Sequence, residues 1–294
     1  MKRRSFNNQV NNSDPWSLNK FAIAFLGLVL IVGCIEQNQH NESDISIDLL
    51  SNVDWEITQP PKNLELDPFY KKYVYVNGIH VISSWRVPDS AIYQACNIIM
   101  YMTEALPKEI HNELTIRNTR VGIMARYEGT TDIPEHEHLE SDTSLNWDVR
   151  ARGLGGGVDL PLTTCAEENL LCYQIDKYHA EDILIHEFAH TIHGVGILSE
   201  NPDFNEKLQI LYDRAIADGK WENTYAITNV WEYFAEGVQD WFNVNAEVPA
   251  PDGKHNHVNT RKELKEYDPE LYELIGEIFP EFKVQISCHS VPFD

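Results

Sequence analysis

The chain has 294 residues, 43% of them hydrophobic and 11% aromatic, enough to bury a real core and too apolar for a disordered protein. Its 46 acidic against 23 basic residues give a net charge of −23, which argues against binding along a nucleic-acid backbone, since that needs a basic face. Most of these carboxylates read as a solvated acidic surface.

At the N-terminus Lys2, Arg3, Arg4 and Lys20 precede Phe21–Gly33, thirteen apolar or small residues without a charge. That length fits a signal-peptide core and falls short of the about 20 residues a membrane span needs. The stretch ends in Ile31-Val32-Gly33-Cys34, which resembles a lipobox, so residues 1–33 read as a signal peptide and Cys34 as the lipid-bearing residue. The body then lies outside the cytoplasm, anchored to the membrane; secretion, or a short uncleaved anchor, is the alternative. Residues 34–61 are polar and acidic, with no Lys or Arg before Lys62, and read as a flexible tether. Residues 62–294 read as one folded domain.

Cys96, Cys165, Cys172 and Cys288 make an even number for an oxidising compartment, and four cysteines permit three pairings. Cys165–Cys172 is the favoured local bridge, which leaves Cys96–Cys288 as the second.

Along the domain, "YVYVNGIHVI" (73–82) alternates around Asn77-Gly78 and predicts a hairpin. Pro88 and Asp89 start a helix over 89–105 whose apolar face is Ile92, Ala95, Ile99 and Met102. Residues 120–127 predict a strand. The stretch 128–178 has little periodicity and reads as a long loop. Helices follow over 180–194, over 203–218 ended by Gly219, over 229–243, and over about 268–278 from Asp268-Pro269. Strands first and helices after them predict an α+β domain, a small sheet with its helices gathered at one end.

"HEFAHTIH" (186–193) places His186-Glu187-Phe188-Ala189-His190, an H-E-x-x-H, on a predicted helix. Histidines at i and i+4 share a face, so both imidazoles can reach one ion while Glu187 hangs beside the remaining position. Ile183, Leu184, Ile185, Phe188 and Ile192 surround the trio. Burying two imidazoles and a carboxylate there without a partner costs several kcal/mol, and a metal supplies the partner. His193 is not a third ligand: seven residues of helix carry it about 10.5 Å from His186, too far for one ion. It reads as a second-layer or rim residue. The missing ligand is sought in "TYAITNVWEYFAEG" (224–237), where Glu232 and Glu236 lie at i and i+4 on a second helix. One of them can bind the ion while the other orients an imidazole.

The pairing of HEFAH with Tyr225, Asn229 and Glu232-Tyr233-Phe234-Ala235-Glu236 resembles the gluzincin-like zinc peptidases typified by the catalytic domain of anthrax lethal factor. The firm part covers about residues 180–245. More loosely, 70–290 resembles exported zincin-like proteins that share blocks such as "EGTTDIPEH", "RARGLGG" and "EYFAEGVQ". The resemblance implies a zincin-like fold, one zinc ion per chain, Glu232 as third ligand, Glu236 as orienter and Tyr225 as transition-state donor. It also implies a polypeptide substrate and an endopeptidase in which Glu187, as general base, takes the proton of a zinc-activated water. A non-catalytic surface protein stabilised by zinc is the competing expectation, and hydrolysis of a non-peptide amide stays open.

Other stretches carry less. "GLGGG" (153–157) is no phosphate loop; its glycines suit either close approach of a peptide along an edge strand or a mobile turn. His136 and His138 in "IPEHEHLE" stand at i and i+2, which share no helix face, and read as a solvated loop, as do His255 and His257.

Overall fold

The computed structural model describes residues 55–293. The expected signal segment and Cys34 lie outside these residues. Among the described residues no helix is long and apolar enough to cross a membrane.

The hairpin forms as its residues dictate. Strands β1 (Lys72–Val76) and β2 (Ile79–Ser83) run antiparallel through Asn77 and Gly78, whose φ values of 41° and 87° are both positive, as the tight two-residue turn demands. A side chain at Gly78 would also strike the Thr115 hydroxyl at 2.3 Å. Strand β3 (Arg120–Met124) joins parallel to β2. Then β4 (Gly153–Leu154) and β5 (Leu162–Ala166) complete a five-stranded mixed sheet of order β1-β2-β3-β5-β4, with β4 on the edge.

Side chains alternate across this sheet, so it builds two cores. Val81, Val121, Ile123 and Cys165 face helices α1 (Asp89–Thr103) and α2 (Lys108–Ile116) and the C-terminal helical part. Ile82, Met124, Leu162 and Ala166 face the other way, onto Tyr70 and Ile133. The C-terminal part comprises α3 (Ile183–Thr191), α4 (Phe204–Ala217), α5 (Val230–Trp241), α6 (Arg261–Tyr267) and α7 (Pro269–Gly276). The domain is therefore α+β.

Three expectations need correction. The long loop contains β5, a central strand buried on every residue; a strand covered on both faces shows no polar alternation to betray it. The folded part begins earlier than residue 62. Trp55 and Ile57 pack on the core, the Trp55 indole donates to Asn97 at 3.1 Å, and Thr58 pairs with Tyr73, so residues 55–61 of the expected tether are docked.

Finally, the cysteines pair differently. The bond is Cys172–Cys288, with Cα atoms 6.3 Å apart, while Cys96 and Cys165 are free and buried. Strand β5 fixes Cys165 in the core and α1 does the same for Cys96, whereas Cys172 points outward, toward the C-terminal tail.

Candidate metal centre

Helix α3 is held firmly at its start. The Asp182 side chain accepts from the Ile185 N–H at 2.9 Å, Asn169 accepts from the Ile183 N–H at 2.9 Å, and Ser287 donates to Asp182 at 2.5 Å. At its far end the Thr191 hydroxyl bonds Thr163 of β5 at 2.5 Å and accepts from the Gly156 N–H at 2.7 Å. A π-helical turn, Ile192–Ile197, follows. Helix α5 packs against α3 and opens on Asn229, whose side chain accepts from the N–H groups of Trp231 and Glu232.

This packing brings three ligand atoms together. His186 Nε2 lies 3.1 Å from Glu232 Oε2, His190 Nε2 lies 3.2 Å from His186 Nε2, and His190 Nε2 lies 3.3 Å from Glu232 Oε2. An ion bound tetrahedrally at about 2.0–2.1 Å spaces its ligands about 3.3–3.4 Å apart, so this triangle fits one zinc without rearrangement. Two imidazoles and a carboxylate are also a donor set that zinc prefers.

Electrostatics agree with the geometry. Burial disfavours an imidazolium at His186, but the hydrogen bond to Glu232 and the charges of Glu187, Glu236 and Glu232 prevail and raise its pKa to about 10. Burial likewise disfavours a carboxylate at Glu232, yet the hydrogen bonds from His186 and His190 hold it well below the usual range. The centre is built to attract positive charge. Burial pushes the Glu187 carboxyl upward despite the nearby imidazoles.

Around the ligands, the His186 Nδ1–H donates to Gln239 Oε1 at 2.8 Å, while the Gln239 amide donates to the Asp182 carbonyl at 3.1 Å. Both bonds fix one amide orientation and leave His186 Nε2 free to ligate. Glu236, assigned that orienting task from sequence, stands 3.6 Å from the same Nδ1, beyond hydrogen-bond range. It accepts from Asn245 at 3.1 Å instead, and burial raises its pKa to about 7. Gln239 went unread although it continues the face of Glu232 and Glu236 at i+7.

Tyr225 lines the cleft over the centre, its ring 6.2 Å from that of His186. Its phenol is pushed up by burial and by Glu232, with Arg150 pulling the other way. His193 is not at a rim. It is fully buried, bonded to Asn205 at 2.7 Å and stacked on Trp231 at 4.1 Å, and burial lowers its pKa to about 4.

The cleft has a volume of about 1170 Å³ and reaches from Gly153–Gly157 across His186, Glu187 and His190 to Tyr225 and Glu232. "GLGGG" supplies the edge strand β4 and lies directly on α3. A Cβ at Gly155 would meet His190 Cβ at 2.5 Å, and one at Gly153 would meet Ile183 at 2.5 Å and Glu187 at 3.0 Å. Only glycine lets these two elements approach so closely.

Among the described residues, the other histidines singled out from sequence do not join the centre. His136 is buried and His138 is exposed and bonds the Glu135 carbonyl at 3.1 Å. His255 lines the far side of the cleft and pairs with Glu181 at 3.3 Å, and His257 packs on Tyr267.

No protein-family model matches the chain, and none of the curated proteins compared with it does. Among solved structures, a Pro-Pro endopeptidase from Paenibacillus alvei aligns with a TM-score of 0.46 and 16% identity, over 67% of this chain and 96% of that one. A likeness this slight carries no argument, and the chemistry rests on the site itself.

Proposed function

We propose that the protein is an exported, zinc-dependent endopeptidase. The observation that carries this reading is the triangle of His186, His190 and Glu232, with Glu187 beside it and an open cleft above. These three side chains would hold the zinc; when bound, the ion supplies Lewis acidity toward a carbonyl and lowers the pKa of water. Glu187, partly exposed at the cleft, accepts the proton of the attacking water at its carboxylate and delivers it to the leaving amine. The Tyr225 hydroxyl donates a hydrogen bond to the oxyanion that develops. An extended polypeptide lies against β4, whose outer edge pairs with no other strand of the sheet.

Export is supported by the disulfide, which belongs to an oxidising compartment, and by the signal-like N-terminus with its lipobox at Cys34. The reading is tested by incubating zinc-loaded protein with a peptide library. Cleavage that stops with EDTA, returns with zinc and is lost in Glu187→Gln supports it. Stoichiometric zinc with no cleavage of any peptide would instead favour a zinc-stabilised surface binding protein.

A further inference from the structure

The cleft of this very acidic protein has one positive wall. Arg150 ends a short helical turn, Trp147–Arg150; Lys177 precedes α3; Lys254 lies in the loop after α5; all three line the cleft and are exposed. Three separate segments are tied together to place them. The Lys177 ammonium donates to the Val149 carbonyl at 2.6 Å, next to Arg150; the Arg150 guanidinium meets the Tyr225 hydroxyl; and the Tyr225 N–H donates to the Lys254 carbonyl at 2.7 Å.

In a chain with twice as many acids as bases, such cations ordinarily find carboxylates. Here the carboxylates of the cleft other than the general base Glu187 are engaged elsewhere: Glu181 with His255, Glu232 with the two histidines, Glu236 with Asn245. Even the neighbouring Arg152 is taken, by Glu168 at 2.6 Å. Among the described residues Arg150, Lys177 and Lys254 form no ion pair. Burial first, and then the charges of Arg152, Arg150 and Lys254, press the Lys177 pKa downward, with Glu168 pulling the other way.

Three like charges held together without a counter-ion carry a standing repulsion that an anion would relieve. The anion must be small. A polyanion would be repelled by the net charge of −23, whereas one or two carboxylates reach the wall without confronting the whole surface. The exposed apolar side chains of Leu145 and Val149 border the same wall and suit the stem of a side chain.

We propose that Arg150, Lys177 and Lys254 form a specificity subsite that takes an acidic side chain of the polypeptide substrate, near the bond to be cut. This rests on the endopeptidase reading for the reaction, and on the cleft alone for binding.

The test uses hexapeptide sets with Asp, Glu, Asn or Lys fixed at each position in turn. They are presented to zinc-loaded protein and to the Arg150→Gln/Lys177→Gln/Lys254→Gln triple variant. We expect Asp and Glu to be favoured at one position and the triple variant to lose about tenfold more in kcat/KM on those peptides than on Asn peptides, mainly through KM; a loss common to all peptides reflects the contact of Arg150 with the Tyr225 hydroxyl. The preference should weaken with added salt. Equal cleavage of Asp and Asn peptides, or an acidic preference that survives in the triple variant, would overturn the proposal. If no peptide is cleaved, the hydrolase reading fails, and the subsite is judged by binding of the same peptides to the Glu187→Gln protein. Acid-selective binding lost in the triple variant then supports the subsite, and unselective binding overturns it.

Discussion

Among the described residues, two groups of side chains come close enough to share a metal ion: His186, His190 and Glu232, and Cys172, Cys288 and His289. They differ in what surrounds them. The first lies at the bottom of a cleft, each element braced from behind: α3 by Asp182, Asn169 and Thr191, His186 by Gln239, α5 by Asn229. The second lies at the surface, with two of its three members consumed in a disulfide. Proximity makes a candidate; a supporting layer of hydrogen bonds and an excess of carboxylates around the imidazoles make a stronger one. The two are nonetheless linked, because the disulfide anchors the tail whose Ser287 bonds Asp182 at the start of α3.

The comparison breaks most easily at the first group. His190→Ala or Glu232→Ala should abolish both zinc retention and cleavage, measured by metal analysis and peptide turnover. Glu187→Gln should keep the zinc and lose turnover by about 10²–10⁴-fold. Either result appearing for substitutions at Cys172 or Cys288 would reverse the assignment.

Smaller effects sharpen the contrast. Gly155→Ala drives a methyl to 2.5 Å from His190 Cβ and should shift that ligand, weakening zinc binding in a competition titration. Gln239→Leu removes the acceptor on His186 and should weaken zinc binding about 10–100-fold, more than Glu236→Gln does. Replacing both Cys172 and Cys288 by Ser frees a loop of 116 residues and should cost about 2–4 kcal/mol in denaturant unfolding, with one zinc still bound.

Acid supplies a further contrast. His193 is held neutral in the fold, its pKa lowered from 6.5 to about 4 by burial, so the unfolded chain binds the extra proton first. Its contribution is present above pH 6.5 and is lost as pH falls toward 4, amounting to about 3 kcal/mol. Urea unfolding followed across that range should show the decline, and His193→Gln should flatten it.

Much of this was legible from spacing alone. The Asn77-Gly78 hairpin, the helices from Asp89, Phe204, Val230 and Pro269, and the face shared by His186 and His190 follow from local rules that the fold does not override. Pairing those histidines with Glu232 needed a family resemblance as well, since the packing of α5 on α3 is not written in either helix.

The failures have physical causes. Strand β5 is buried on both faces and shows no alternation; α2 buries only Ile110 and Leu114, too few to mark a period. The disulfide joins residues 116 apart in sequence, and only the folded path of the tail shows that Cys288 meets Cys172. The eye is also drawn to histidine density in "IPEHEHLE", where residues two apart diverge into core and solvent.

The most direct test of the central claim is the zinc K-edge absorption spectrum of the zinc-loaded protein, because it distinguishes the two groups by ligand element. Binding at His186, His190 and Glu232 predicts a shell of nitrogen and oxygen only, at about 2.0–2.1 Å, with imidazole outer-shell scattering. A sulfur shell near about 2.3 Å would place the metal on the cysteines and contradict the account.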